Sequence, residues 1–178
     1  PGDIMVLVRR RTGLVAALVR ALKVRDVPVA GVDRMRLTEQ LAIEDMIALG
    51  NFLLLPEDDL TLATVLKGPL FAFDEEQLFA LAHGRGDTLW RALYARADEH
   101  KLFRHAVDTL TGLMARADFA PPYELFAEVL GPLGGRRKIL ARLGPEAADP
   151  LDEFIAAALA YEADHPPSLQ GFLHWLVA

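Results

Sequence analysis

The chain has 178 residues, 52% of them hydrophobic, no cysteine and a formal net charge of −6. That length holds one domain, or one domain with a piece of another, and the apolar fraction excludes a disordered chain. The lack of cysteine excludes disulfide scaffolds, thiolate zinc sites and cysteine nucleophiles. An acidic total argues against a stand-alone nucleic-acid binder, whose surface is usually basic. No run of about 18 uncharged apolar residues occurs, so no transmembrane helix is expected and the chain reads as cytoplasmic. It opens at Pro1 without a signal peptide and stops after the apolar run Gly171–Val177, so it reads as a piece of a larger protein.

Charge is uneven along the chain. Residues 1–36 carry eight basic and three acidic side chains, a net of +5, whereas residues 37–178 carry 11 basic and 22 acidic ones, a net of −11. The basic part is the short N-terminal segment.

In chain order, Pro1-Gly2-Asp3 is a turn, and the apolar run Ile4–Val8 fits a buried, parallel strand. Arg9-Arg10-Arg11-Thr12-Gly13 follows, with Thr12 as a cap for a helix bearing Leu14, Leu18, Ala21, Leu22 and Arg25. Val27–Gly31 reads as a second strand. Ligand groups gather at the C-terminal end of the strand in such a unit, which is where Arg9 lies. Beyond it, Thr38 is expected to cap a helix running to about Leu55, ended by Pro56. Asp58-Asp59 opens a short helix through Leu66, broken at Gly68-Pro69. Asp74 caps the next, with Glu75 and Glu76 in its first turn, where acids suit the helix dipole. That helix ends near His83-Gly84, and Thr88 starts another.

Glu99–Ala117 is a longer amphipathic helix with Leu102, Phe103, Ala106, Leu110, Leu113 and Met114 as its stripe. Pro121-Pro122 opens Tyr123–Leu130, Arg136–Leu143 is a basic helix, Pro150 opens Leu151–Tyr161, and Ser168 caps the last helix. The expected class is mainly α: a strand–helix–strand start, then a multi-helical domain of about ten helices in all.

Little in the sequence carries chemistry by itself. It has no GxxxxGK[ST], HExxH, GxSxG or HxH, and its five histidines are dispersed, so no metal site is expected. Gly134-Gly135-Arg136-Arg137-Lys138 admits a phosphate contact at a helix start, although a turn with a solvated basic face is the favoured reading. Capping and dipole effects explain Asp58-Asp59 and Glu75-Glu76 without catalysis. Trp90, Trp175, Phe71 and Phe73 are most simply core, with a stacking platform for single-stranded bases as the alternative. The cluster Arg9-Arg10-Arg11 is either a solvated face or a source of a guanidinium for a phosphate held by a neighbouring subdomain.

The order of segments resembles the UvrD/Rep-like superfamily-one DNA helicases. Gly2–Arg9, the following helix, Val27-Pro28-Val29 and Gly31-Val32 resemble their motif IV. Arg34–Asp45 resembles the stretch that follows, Leu53–Asp59 the loop that is usually Asn-Pro-x-Asp-Asp, and Lys67–Phe71 the segment after the next helix. The likeness is closest to the AddA-type subunit of the helicase–nuclease, above all in Val6–Arg9, Leu53–Asp59 and Lys67–Gln77.

The resemblance implies that residues 1–33 begin the second RecA-like motor domain (2A) and that 34–178 form most of the helical 2B insertion. It implies an ATP-dependent helicase with exonuclease activity in double-strand break repair and recombination. ATP and Mg2+ would be bound in the whole protein, with DNA and a second subunit as partners. Arg9 takes the place of the motif IV arginine on the γ-phosphate, with Arg10 as the alternative. Walker A, Walker B and nuclease segments are not in this stretch, so no catalysis is expected from it alone and no cofactor bound to it.

Two departures stand out. Val8 occupies the adenine-stacking tyrosine position. Phe71-Ala72-Phe73 stands where related 2B domains often carry Gly-Ile-Gly to hold duplex DNA. Weak or no DNA binding follows for these residues alone, and the two phenylalanines are either core or a contact for the partner subunit. A non-enzymatic helical adaptor is the rival reading, and a receiver-like α/β module a weaker one, since the first strand ends in three arginines.

Overall fold

Turn residues cut the sequence into short apolar-striped stretches, and nearly every stretch is a helix. The computed structural model describes Ile4, Val6, Leu18, Ala21, Leu22, Val24, Arg25, Val27 and residues 37–178. The chain divides into two units, Pro1–Met35 and Arg36–Ala178.

In the first unit Leu18, Ala21 and Leu22 are helical, as the spacing predicts, and the Arg25 guanidinium donates to the Ala21 carbonyl at 3.0 Å. The strand–helix–strand start finds no support. Ile4 and Val6 are the described residues of the first strand; both are solvent-exposed and neither is in a strand. The rest of that strand and most of Val27–Gly31 lie outside the described residues.

Among its described residues the second unit holds nine α-helices: α1 Leu41–Leu54, α2 Asp59–Lys67, α3 Glu75–Ala82, α4 Leu89–Ala95, α5 Lys101–Ala117, α6 Pro122–Leu130, α7 Gly135–Leu143, α8 Ala148–Asp164 and α9 Leu169–Val177. Short 3-10 turns precede α1, α5 and α8, at Leu37–Glu39, Ala97–Glu99 and Pro145–Ala147. No strand occurs among the described residues, so the mainly-α class holds.

Several starts follow from local chemistry. Asp58 accepts from the Leu60 and Thr61 amides at 3.0 and 3.1 Å, and Asp74 forms a reciprocal capping box with Gln77. Thr88 and Ser168 accept from Arg91 N and Gly171 N. At α1 the expectation fails. Thr38 sits inside the 3-10 turn, and Gln40 occupies the N-cap position without a side-chain bond. The preceding turn already directs the chain into the helix: Gln40 N donates to the Leu37 carbonyl, and the Gln40 carbonyl accepts from Ile43 and Glu44.

Helix α1 is the centre of the unit, touching α2, α5, α8 and α9. A helix packed on several sides must be apolar around most of its circumference, and Ala42, Ile43, Met46, Leu49, Gly50, Phe52 and Leu53 are all buried. Gly50 is needed for close approach: a Cβ there would meet Leu173 Cδ1 of α9 at 2.9 Å. Phe126 of α6, Phe154 of α8 and Phe172 of α9 form an aromatic triangle with centroids 4.8, 5.5 and 6.0 Å apart. Among the described residues no polar or charged side chain is buried.

Candidate functional site

The residues singled out for phosphate contact, Arg9 and Arg10, lie outside the described residues, as does Val8. Leu53–Asp59 and Lys67–Gln77, two further segments of the resemblance, are described in full. They gather around the short helix α2.

At its start, Asp58 and Asp59 are structural. Asp58 caps the helix. Its carboxyl is held below the usual range mainly by the Thr61 hydroxyl at 2.7 Å, with help from the Thr61 and Leu60 amides. Asp59 reaches across to the next pair of helices, accepting from the Leu89 amide at 2.6 Å and pairing with Arg85, which also donates to the Ala82 carbonyl. Burial opposes its charge, but the Leu89 N–H and the Arg85 guanidinium outweigh that and lower its pKa.

At the other end of α2, Gly68 ends the helix and the chain turns back. Phe71 and Ala72 N–H donate to the Gly68 carbonyl, and Phe73 N–H donates to Leu66 O at 2.9 Å. Phe71 and Phe73 are core residues, 4% and 3% exposed. Phe73 stacks on Phe103 at 5.4 Å and Phe71 packs near His105. Ala72, between them, points to solvent with φ of 55°, a left-handed conformation that favours glycine. The turn therefore buries two rings at the cost of strain at the residue between them.

Basic helix α7 closes this end, and three of its cations are engaged by protein. Arg136 grips Asp152 of α8 with both guanidinium nitrogens, at 2.5 and 2.9 Å. Lys138 Nζ donates to Leu70 O at 2.8 Å, and Arg142 Nη1 to Lys67 O at 2.7 Å. Desolvation first, and Arg137 second, lower the Lys138 pKa. Arg137 is exposed beside an open depression lined by Leu130, Gly131, Pro132, Gly134 and Leu140.

The arrangement ties α7 to α2 and α8. Gly134 takes φ of 73°, and Gly135 has no room for a side chain, since a Cβ would lie 2.5 Å from Val129 O. The solvated-face reading accordingly describes Arg137, while Arg136, Lys138 and Arg142 are hydrogen-bonded struts.

Sequence reasoning missed Asp45, Lys138 and Arg142 as one cluster. They come from helices distant in the chain, and the legible trace is Pro69, four residues after Val65, which removes a donor from the end of α2.

The histidines are scattered in space as in sequence. His83 stacks on Phe79 and His165 on Tyr161, while His100 Nδ1 accepts from Leu102 N at 3.1 Å at the start of α5. Among the described residues no group of three potential metal ligands occurs, and no helix is long and apolar enough to cross a membrane. No protein-family model matches the sequence, and comparison with curated proteins finds no significant match.

Proposed function

We propose that this chain is part of a UvrD/Rep-like DNA helicase of the AddA type. Residues 1–33 would begin the second motor domain, and 34–178 would form most of its helical 2B insertion. The observation that carries the reading is the order and spacing of Gly2–Arg9, Arg34–Asp45, Leu53–Asp59 and Lys67–Gln77. Two structural facts support it. The chain divides after Met35 into a short unit and a separate helical one. The two best-matching segments of the helical unit flank one helix and are pinned by their own motif residues, Asp58, Asp59 and Gly68.

In this role the helical unit positions DNA or a second subunit, and ATP with Mg2+ binds elsewhere in the whole protein. Buried Phe71 and Phe73 leave no backbone cradle for duplex DNA at that turn. The insertion then acts by steering rather than by gripping the duplex there, in an enzyme of double-strand break repair and recombination in the bacterial cytoplasm. Arg9, or Arg10 beside it, supplies positive charge to the γ-phosphate.

The test is Arg9→Ala in the whole helicase. DNA-stimulated ATP turnover is expected to fall about 10³-fold with DNA binding retained. Unchanged turnover in both Arg9→Ala and Arg10→Ala would overturn the assignment.

A helical adaptor without a nucleotide role is the second reading. It is favoured by the helical unit having a hydrophobic core of its own, running from Ala42 to Leu173. It predicts that a chain lacking residues 1–33 folds cooperatively and keeps full partner binding. The helicase reading predicts that such a chain, placed in the whole enzyme, abolishes ATP turnover.

A further inference from the structure

The carboxyl end of α2 leaves one of the helix's own carbonyls without a donor. Thr64 O accepts from Gly68 N at 2.9 Å, Leu66 O from Phe73 N at 2.9 Å, and Lys67 O from Arg142 at 2.7 Å. Gly68 O accepts from Phe71 and Ala72, and Leu70 O accepts from Lys138. The carbonyl of Val65 is different. Its helical donor would be residue 69, which is a proline with no N–H, and among the described residues no other group donates to it. Val65 is 4% exposed, so bulk water offers little compensation, and an unmet buried carbonyl is costly.

One ionisable side chain lies close by. Asp45, half-buried on α1, lies across Gly68. Its Oδ1 is 3.3 Å from the point a Gly68 Cβ would occupy, and Val65 O and Thr64 O are 3.2 and 3.3 Å from the same point. A charged carboxylate here would confront the negative end of the α2 dipole, whereas a protonated one carries the missing donor. The missing side chain of Gly68 is what lets the groups converge.

We infer that Asp45 is a proton-operated latch between α1 and the carboxyl end of α2. Its protonated carboxyl donates to the Val65 carbonyl, and ionisation replaces that hydrogen bond with repulsion from the helix end. The latch bears on the turn that carries Phe71 and Phe73 and is independent of the helicase reading. The charges acting on Asp45 are Arg142 from α7, which favours ionisation, and Glu44 from its own helix, which opposes it. Lys67 at the end of α2 is engaged by Glu75.

Burial raises the Asp45 pKa to about 6 from 3.8, against the pull of Arg142. Because the folded form holds the proton more tightly than the unfolded one, this contribution is complete below about pH 4. It is lost as pH rises through about 6.

The first test follows the wild-type chain by NMR. The Asp45 carboxyl carbon is expected to titrate near pH 6, with the Gly68, Phe71 and Ala72 amide resonances moving at the same midpoint. Titration in the ordinary carboxylate range, or amides that stay still, would overturn the proposal. The second compares variants by urea unfolding. Asp45→Asn supplies a permanent donor, so its folding constant is expected to match wild type at about pH 3 and to exceed it on the order of tenfold at pH 7.5, allowing for solvent screening. Asp45→Ala removes both charge and donor and is expected to fall below Asp45→Asn at both pH values. Equal stability of the Asn and Ala variants would show that charge alone matters and would overturn the latch.

Discussion

The aromatic triangle of α6, α8 and α9 and the polar junction of α1, α2 and α7 hold the same helical unit together by opposite means. In the triangle, Phe126, Phe154 and Phe172 are fully buried and meet at 4.8 to 6.0 Å with no polar atom between them. Its stability comes from apolar area and ring geometry, which depend little on pH or salt. At the junction, the helix end and its turn expose carbonyls that the backbone leaves unmatched, and Arg142, Lys138 and Asp45 come from other helices to meet or face them. Net gain per hydrogen bond is small, but the cost of leaving a buried group unpaired is not. The first region therefore sets how stable the unit is. The second sets which helix ends meet and makes their meeting sensitive to protons.

The largest effect is expected from breaking the triangle. Phe154→Ala removes a fully buried ring with two aromatic neighbours and is expected to cost about 3–5 kcal/mol, read as the shift of the urea midpoint. Loss of this size would consume much of the stability of an ordinary domain. A cost under about 1 kcal/mol would show that the three rings are not a unit.

Next comes Gly135→Ala at the start of α7. The added Cβ would meet Val129 O at 2.5 Å and Leu70 Cδ2 at 2.9 Å, so a loss of about 1–3 kcal/mol is expected from displacement of the helix. Gly134→Ala separates close packing from conformation, because a Cβ there meets only Arg137 Nη2, at 3.7 Å, but φ is 73°.

Lys138→Met keeps the aliphatic stem and removes the donor to Leu70 O. The expected cost is about 0.5–1.5 kcal/mol, with faster hydrogen exchange at the Phe71–Phe73 amides and none at α9. Exchange that quickens equally in both regions would mean that junction and triangle open together.

The smallest effect has the opposite sign. Gly112 lies in the middle of α5 with open space around its Cα, so Gly112→Ala is expected to stabilise by about 0.5–1 kcal/mol, seen as a higher Tm.

Helix positions were largely legible because their signals are local. Asp58, Asp74, Thr88 and Ser168 act within three residues, and the 3.6-residue stripe of α5 marks its buried face directly. The start of α1 was not, because a 3-10 turn rather than a side-chain cap leads into it. Only the interior decided between core and contact surface for Phe71 and Phe73, since an aromatic pair beside a turn reads the same in either place. The basic run of α7 was misjudged in part for a related reason. Sequence shows three adjacent cations, but which of them face carbonyls depends on where α2 ends in space.

The helical class, the turn positions, the acidic character of residues 37–178 and the want of thiol chemistry are all written in the chain's residue order. Each is a property of composition or of residues a few places apart. Tertiary structure alone decided that Asp45, Val65 and Gly68 converge while Arg142 and Lys138 secure the neighbouring carbonyls. Hydrogen-bond accounts of helix ends are settled between chain segments as far apart as residues 45 and 142, and no periodicity within one segment can record them.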